Sequence, residues 1–541
     1  MTDSAIAAPG PATRWTWAAL GLVFGLALLR ILALALSPVA LYADESQYWI
    51  WSQSFDWGYF SKPPMIAWLI AISTGLFGDT DFAIRLPAPL LHTGTALFLF
   101  ATARHLWGER AGFWTACLYI TLPSVWLSGA VISTDALLLC AWSGALYALL
   151  RLRDGGGWIS AAGLGLAIGL GFLSKYAMIY FPVGLALGAL FDARLRRAVL
   201  SLKGLLAAAI ALACLAPNLA WNAEHDFATV THTAANANWG GDLFHPGEMM
   251  EFIYEQIGVF GPVFFAVLIV VLALTIRHLR TIDRTQLVLA AFTLPPLLTV
   301  TLQAFISRAH ANWAASAYVA ASLLVAAFLL RGPAWRRYAL IGSIAFHSLI
   351  GIAGGTIVSS PALVEALGMD NATKRIRAWP ETARAIEQAD AAGQYVYVVF
   401  DDRNVFHQIQ RYAPDMQGRL RMWLRYAGPV NHAEDVWPLP ADAAGPFLIV
   451  SHRPLEVARL REDFASFEPV GELAIPLDGG RTRDFTLWRA DGYQRVARDA
   501  AYEERWQAID AEIGVIRGYS APDETPDEAP DDNALDTEGR D

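Results

Sequence analysis

The sequence predicts a polytopic, all-α membrane protein carrying a small α/β domain at its C-terminal end. Three observations predict it. Hydrophobic residues make up 55% of the 541, charged residues only 17%, and mean hydropathy is +0.36; a soluble domain cannot show water so little charge. Apolar runs long enough to span a bilayer recur up to about residue 357, beyond which Asp, Glu and Arg become frequent. Lys and Arg gather at alternate ends of those runs, as they do when successive loops fall on opposite sides of a membrane.

The elements follow in order. Residues 1–14 form a polar, Pro/Gly-rich segment, read as cytoplasmic. The run at 15–37 is too long for a signal-peptide core, and no small-residue cleavage site follows it, so it reads as a retained span. Further spans are predicted near 83–104, 112–130, 134–151, 158–174, 176–192, 199–219, 258–276, 285–306, 311–330 and 338–357, for a total of about 11 to 13. Together 15–357 make a transmembrane domain. Residues 360–517 have ordinary soluble composition, and 518–541 form an acidic tail read as disordered. From Ser520 on, nine acids face one arginine, so the tail carries most of the net charge of −10 and the acidity says nothing about the substrate. Cys117, Cys140 and Cys214 lie in apolar runs without metal-ligand spacing and read as small buried residues.

The basic loop ends are Arg104 and Arg110; Arg151 and Arg153; Arg194, Arg196, Arg197 and Lys203; Arg277, Arg280 and Arg284; and Arg331, Arg336 and Arg337. They predict a cytoplasmic face, which puts the C-terminal domain outside. Lys62, Arg85, Lys175 and Arg308 stand alone at outer ends. One such cation is a snorkelling side chain. Four of them beside outer carboxylates point to an anionic ligand.

The first outer loop, 41–78, is the most informative stretch. Asp44 and Glu45 follow the first span directly, where carboxylates are costly and mark function. A helix over 44–55 would align Asp44, Tyr48, Trp51 and Phe55 on one face. Lys62-Pro63-Pro64 then starts a helix at 65–77, too short to span, so that a cation and exposed backbone amides share an outer pocket suited to an anion.

This acidic pair, the aromatic-rich helix and the run Tyr59-Phe60-Ser61-Lys62-Pro63-Pro64 resemble the membrane glycosyltransferases of the GT-C fold. Protein O-mannosyltransferases, 4-amino-4-deoxy-L-arabinose lipid A transferases and lipopolysaccharide galacturonosyltransferases are the members it resembles. Arg85 in AIRLPA, Ser133-Thr134-Asp135, Lys175 in FLSKYAM and Arg308 to Trp313 (RAHANW) extend the resemblance in order. It implies a polyprenyl-phosphate-linked sugar donor, an outward-facing cavity, and transfer of a hexosyl or pentosyl group to lipid A, a glycan or a protein in the envelope of a bacterial inner membrane. Membrane lipid is the other expected contact, and no nucleic acid is among the partners.

Under that resemblance Asp44 is the candidate general base, with Glu45 and Asp135 as further catalytic carboxylates. Lys62, Arg85, Arg308 and Lys175 would stabilise charge on the departing phosphate, with Tyr59, His310 and Asn312 as further binding residues. If the acceptor is a phosphate, no proton need leave, and Asp44 would orient the acceptor or stabilise positive charge on the ring. Asp44 and Asp135 also fit as plain charges at helix N-termini. No cofactor is required. Glu45, His232, Asp242, His245 and His310 are all outer, but no spacing among them predicts a metal.

The long outer loop 221–257 reads as a cover that helps choose the acceptor. In the C-terminal domain, 394–400, 446–451 and 484–489 read as strands, and 382–392 and 454–464 as helices. Asp401, Asp402, Arg403 and Asn404 follow a strand end, where sites often lie, but the same residues make a good solvent turn, which is the favoured reading; the domain reads as serving acceptor recognition or structure. A flippase of lipid-linked sugars would need polar groups through the mid-span region. Here the notable charges gather at one face, which favours an enzyme.

Overall fold

A computed structural model describes residues 14–235 and 243–516. The rest of the expected cytoplasmic segment, Asp242 and the acidic tail lie outside the described residues, as does the side chain of His232.

Each of the eleven apolar stretches is helical, but their lengths differ. Among the described residues, six helices are long and apolar enough to cross a membrane: Arg14–Ala35, Asp81–Trp107, Thr134–Arg153, Leu202–Glu224, Arg284–Ile306 and Ala334–Val358. Pro246–Phe260 and Pro262–Arg277 make a seventh only if counted together, since they meet at 113°. Met65–Phe77, Trp158–Ser174, Tyr176–Phe191 and Ala317–Leu330 are shorter. An apolar run read by composition hides such breaks. The stretch at 112–130 divides into Glu109–Ile120 and Pro123–Ser128, and Arg30 donates to the carbonyl of Ile120 at 2.7 Å. A backbone acceptor left over at a proline break inside a membrane needs such a donor. At the sharp bend Gly261 has φ +87°, and the His347 ring lies 2.2 Å from where a Cβ would stand.

Close helix packing rests on small residues. A Cβ on Gly165 would sit 2.4 Å from the Ala207 carbonyl, and one on Gly169 would sit 2.5 Å from Cys214. Those glycines are four apart on Trp158–Ser174 and let the Leu202–Glu224 helix approach its backbone. The aromatic centre of the bundle is Trp142, Phe181 and Phe292, all fully buried.

The C-terminal sheet has five strands: β1 (Tyr397–Phe400), β2 (Leu420–Met422), β3 (Phe447–Ser451), β4 (Phe464–Pro476) and β5 (Thr482–Tyr493). Their order is β2-β1-β3-β5-β4, with β1 parallel to β2 and β3, and β5 antiparallel to β3 and β4. Side chains alternate between two cores. Val398, Phe400, Leu448 and Val450 face Ile386, Phe406 and Ile409; Val399, Phe447 and Ile449 face Trp423 and Leu460.

This domain is fastened to the first outer loop. The helix Arg403–Tyr412 lies on the helix Ala43–Ser52. Gln408 donates to the Leu41 carbonyl at 2.8 Å and accepts from Ser46 Oγ at 3.0 Å. The Tyr412 hydroxyl accepts from the Leu41 N–H at 2.8 Å and donates to Asp81 at 2.6 Å. Arg411 reaches Asp79 and Asp81 at 2.8 and 2.9 Å and covers the Trp49 ring. Asp81→Ala removes the acceptor of the Tyr412 hydroxyl and one of the two carboxylates on Arg411, so the variant is expected to loosen docking by about 2 kcal/mol. Faster amide hydrogen exchange in both 43–52 and 403–412 checks this; unchanged exchange in either helix refutes it.

Candidate active site

The site gathers at the end of the bundle that bears the sheet. The helix Ala43–Ser52 begins directly after the first span, and residues 45–51 on it are buried. Asp44 is the exception: it is exposed, with no hydrogen bond or ion pair among the described residues. Tyr48 lies one turn further on, and its hydroxyl is within electrostatic reach of Asp44, Asp135, Arg403 and Glu45. Burial first, then the carboxylates, push that hydroxyl well above its usual pKa, so it remains a neutral donor. The helix ends at Ser52, so Phe55 leaves the expected face and stacks instead on Trp68 at 5.1 Å.

Two distant segments converge on Asp135. It stands in the first turn of Thr134–Arg153 and receives Lys175 Nζ at 2.7 Å on one oxygen and Asn312 Nδ2 at 2.7 Å on the other. Lys175 sits in extended backbone between Trp158–Ser174 and the short turn Tyr176–Ile179, so it points out of the helical line. Asn312 lies on the turn Ala311–Ala314. Lys175 and Asp135 keep 22% and 12% of their side-chain exposure, enough to be reached from solvent. A second network braces them: Tyr176 donates to Asn218, which donates to the Trp57 carbonyl of the first outer loop at 2.7 Å.

Glu45 and Arg85 behave differently from the free groups expected on a cavity wall. Both are sealed, and Arg85 Nη2 meets Glu45 at 2.6 Å. Glu45 also accepts the N–H of Tyr42 and of Ile132, and Arg85 donates to the carbonyls of Val39 and Ala40. This pair knits three segments of chain and offers nothing to a ligand. Tyr59 is likewise turned inward. It is 4% exposed, stacks on Trp51 at 5.1 Å, and donates its hydroxyl to Ser54 at 2.6 Å.

Lys62 is half-buried three residues ahead of the helix Met65–Phe77, and its carbonyl accepts from the Tyr59 N–H. Arg308 is half-buried just after Arg284–Ile306, and exposed His310 meets the Trp313 ring edge-on at 5.2 Å. The described part of the outer loop contributes Thr229, which bonds the Tyr59 carbonyl, and Trp221, which packs on Gly58 and stacks on His225.

Reasoning from the sequence missed the C-terminal contribution. Asp402 caps Arg403–Tyr412 by accepting the N–H groups of Asn404 and Val405, and it pairs with Arg453. Burial raises its pKa, but Arg453, His452 and those amides outweigh this and hold it at about 2. Asp401 is pushed up to about 6 by burial and accepts from Ser451. The expected solvent turn is therefore a capped helix start. From the same domain, His432 meets Trp51 edge-on at 5.7 Å. An Asp closing a strand just before the pattern VFHQIQRY was the available signal.

A cavity of about 930 Å³ lies elsewhere, lined by Arg153, Asp192, Arg194 and Arg284 at the arginine-rich end. None of the converging residues faces it.

Known proteins resemble this arrangement along most of the chain. Residues 61–221 match the family described as dolichyl-phosphate-mannose-protein mannosyltransferase. A lipid A galacturonosyltransferase of Rhizobium johnstonii is 34% identical over 436 residues, covering 80% of this chain and 90% of that protein. An undecaprenyl phosphate-α-4-amino-4-deoxy-L-arabinose arabinosyl transferase of Aeromonas hydrophila is 33% identical over 24% of each chain. In fold, the chain is similar to the arabinosyl transferase ArnT of Cupriavidus metallidurans, with a TM-score of 0.60 at 16% identity, covering 87% of this chain and 97% of that one. A bundle of apolar helices, a docked sheet domain and this extent of shared sequence lead to one assignment: the chain belongs to the polyprenyl-phosphate-sugar glycosyltransferases of the GT-C fold.

Proposed function

We propose that this glycosyltransferase moves a sugar from a polyprenyl-phosphate donor onto lipid A or lipopolysaccharide, at the periplasmic face of a bacterial inner membrane. The convergence of Lys175 and Asn312 on Asp135, beside Tyr48 and an exposed Asp44 with no ion pair among the described residues, carries the reading. The relatives supply the substrate class: one is named for lipid A and others for undecaprenyl phosphate. The arginine-rich loop ends support the orientation.

In the reaction the bond from the anomeric carbon to the phosphate oxygen breaks, and polyprenyl phosphate departs with the electron pair. A bond to the acceptor oxygen forms, and a hydroxyl acceptor loses its proton to Asp44. Lys62 and Arg308, both half-buried at this end of the bundle, are the candidate cations for the developing phosphate charge. Lys175 instead neutralises Asp135, which keeps that carboxylate in a fixed orientation. Glu45 and Arg85 hold the helix that carries Asp44 and Tyr48.

The test uses the purified full chain in lipid nanodiscs, labelled polyprenyl-phosphate sugars and lipid A. Transfer of label to lipid A is the expected result; binding of the donor without transfer overturns the assignment. Lys62→Ala is expected to lower kcat/KM for the donor by about tenfold, the loss of one half-buried charge-assisted contact. Wild-type kcat/KM in that variant removes Lys62 from the site.

A further inference from the structure

We propose that the cavity at the arginine-rich end of the bundle is a binding site for a phosphate-bearing anion, with the headgroup of an anionic phospholipid as its occupant. This end is the inner face under the orientation proposed above, and the site is separate from sugar transfer. Asp135 and Arg153 stand near opposite ends of one 20-residue helix, a separation of about 30 Å.

The cavity has a braced floor. Its volume is about 930 Å³, room for a headgroup rather than for a single small ion. Asp192 follows the helix Tyr180–Phe191 and caps the next, Ala193–Val199, by accepting the N–H groups of Arg194 and Leu195 at 2.8 and 2.9 Å. Its other oxygen takes Arg153 at 2.6 Å, and Arg153 also reaches Thr285 at 3.3 Å. His105 meets Asp154 at 2.8 Å. These contacts tie the ends of Asp81–Trp107, Thr134–Arg153, Tyr180–Phe191 and Arg284–Ile306 together, and they engage the carboxylates of Asp154 and Asp192.

The remaining charge is mostly positive. Arg194, Arg197 and Arg284 line the cavity and are exposed. Arg194 and Arg284 make no side-chain hydrogen bond or ion pair among the described residues, and Arg197 donates Nε to the carbonyl of Ala193 in its own helix. Asp283 is the lining carboxylate that opposes these three. It holds the N-cap position of Arg284–Ile306 without accepting a cap hydrogen bond, so the first-turn amides of that helix add to the positive potential at the wall. Guanidinium forks match phosphate oxygens in pairs.

The apolar rim points to a lipid. Leu106 and Phe191 line the cavity beside the charges, and Leu190 and Leu200 next to it are 70% and 80% exposed. A soluble phosphate gains nothing from such a rim. A phospholipid sets its phosphate among the arginines and lays its chains on the leucines. Arginine at this end also serves orientation, so the experiment has to separate a site from a generally positive face.

The full chain in detergent is titrated with phosphatidylglycerol and with phosphatidylcholine of the same acyl chains, and bound lipid is counted by native mass spectrometry. Wild type is expected to bind phosphatidylglycerol about tenfold more tightly. Arg194→Gln combined with Arg284→Gln is expected to weaken that binding about 10- to 30-fold. Arg277→Gln combined with Arg280→Gln removes the same charge from the same end, outside the cavity, and is expected to bind as wild type does. All four arginines are exposed, and melting temperatures matching wild type check that both variants fold. Equal losses in the two variants overturn the proposal, because they show only a general attraction. Unchanged binding in Arg194→Gln with Arg284→Gln overturns it as well. Inorganic phosphate as competitor identifies the source: failure to displace the lipid supports the headgroup, and arginine-dependent phosphate binding with no preference for phosphatidylglycerol overturns the lipid occupant. The readout is lipid binding, so its outcome is distinct from that of the transfer assay.

Discussion

Asp44→Asn is expected to lower kcat about 100- to 10,000-fold with a hydroxyl acceptor, the usual worth of a positioned general base. Yield and melting temperature of the variant should match wild type, because Asp44 is exposed and bonded to nothing among the described residues. The size of the loss also reports the acceptor. A phosphate acceptor surrenders no proton, so with such a substrate the same variant should lose about tenfold or less, the share left to orientation. Measuring kcat with both acceptor types separates the two roles. Wild-type turnover with both would remove Asp44 from the chemistry.

Glu45→Ala should fail in the opposite manner. Glu45 is 0% exposed and Arg85 4% exposed, and the guanidinium would be left buried without its carboxylate. Breaking a buried pair from one side costs about 3–5 kcal/mol. The expected result is a sharp fall in melting temperature and in membrane yield. Turnover per folded molecule should fall far less than in Asp44→Asn. Removing both partners should cost less than the sum of the single changes, since no isolated charge remains. A double-mutant cycle checks this, and additive losses would show that the two groups do not act as a pair. Two adjacent carboxylates thus part company: one stays available to a substrate and the other holds the helix on which both sit.

That division marks where the sequence stops being readable. Apolar length and the placement of Arg and Lys are local patterns, and they located the helical stretches. The breaks at Pro123 and Gly261 were not legible, because a composition window averages across them. In the C-terminal domain, β1 and β3 announce themselves as buried runs, and β5 shows in the stretch DFTLWR. β4 does not, since most of its residues are exposed and it exists through its long ladder to β5. The helix Arg403–Tyr412 was hidden behind turn-like residues that serve as its cap.

By itself, then, the sequence determined the membrane class, the basic end of the bundle, and a short roll of carboxylates and cations in outer loops. Only the tertiary structure decided which of these answer one another. Asp135 meets Asn312 across 177 positions of chain, and Glu45 meets Arg85 across 40. Ion pairing falls steeply with distance and rises with burial, and neither quantity exists along a one-dimensional chain. Tyr59, Glu45 and Arg85 look available as letters and are spent once folded. Asp44 looks like a helix-end charge and is exposed with no partner among the described residues, and Arg403 looks like part of a turn and is the first residue of a capped helix.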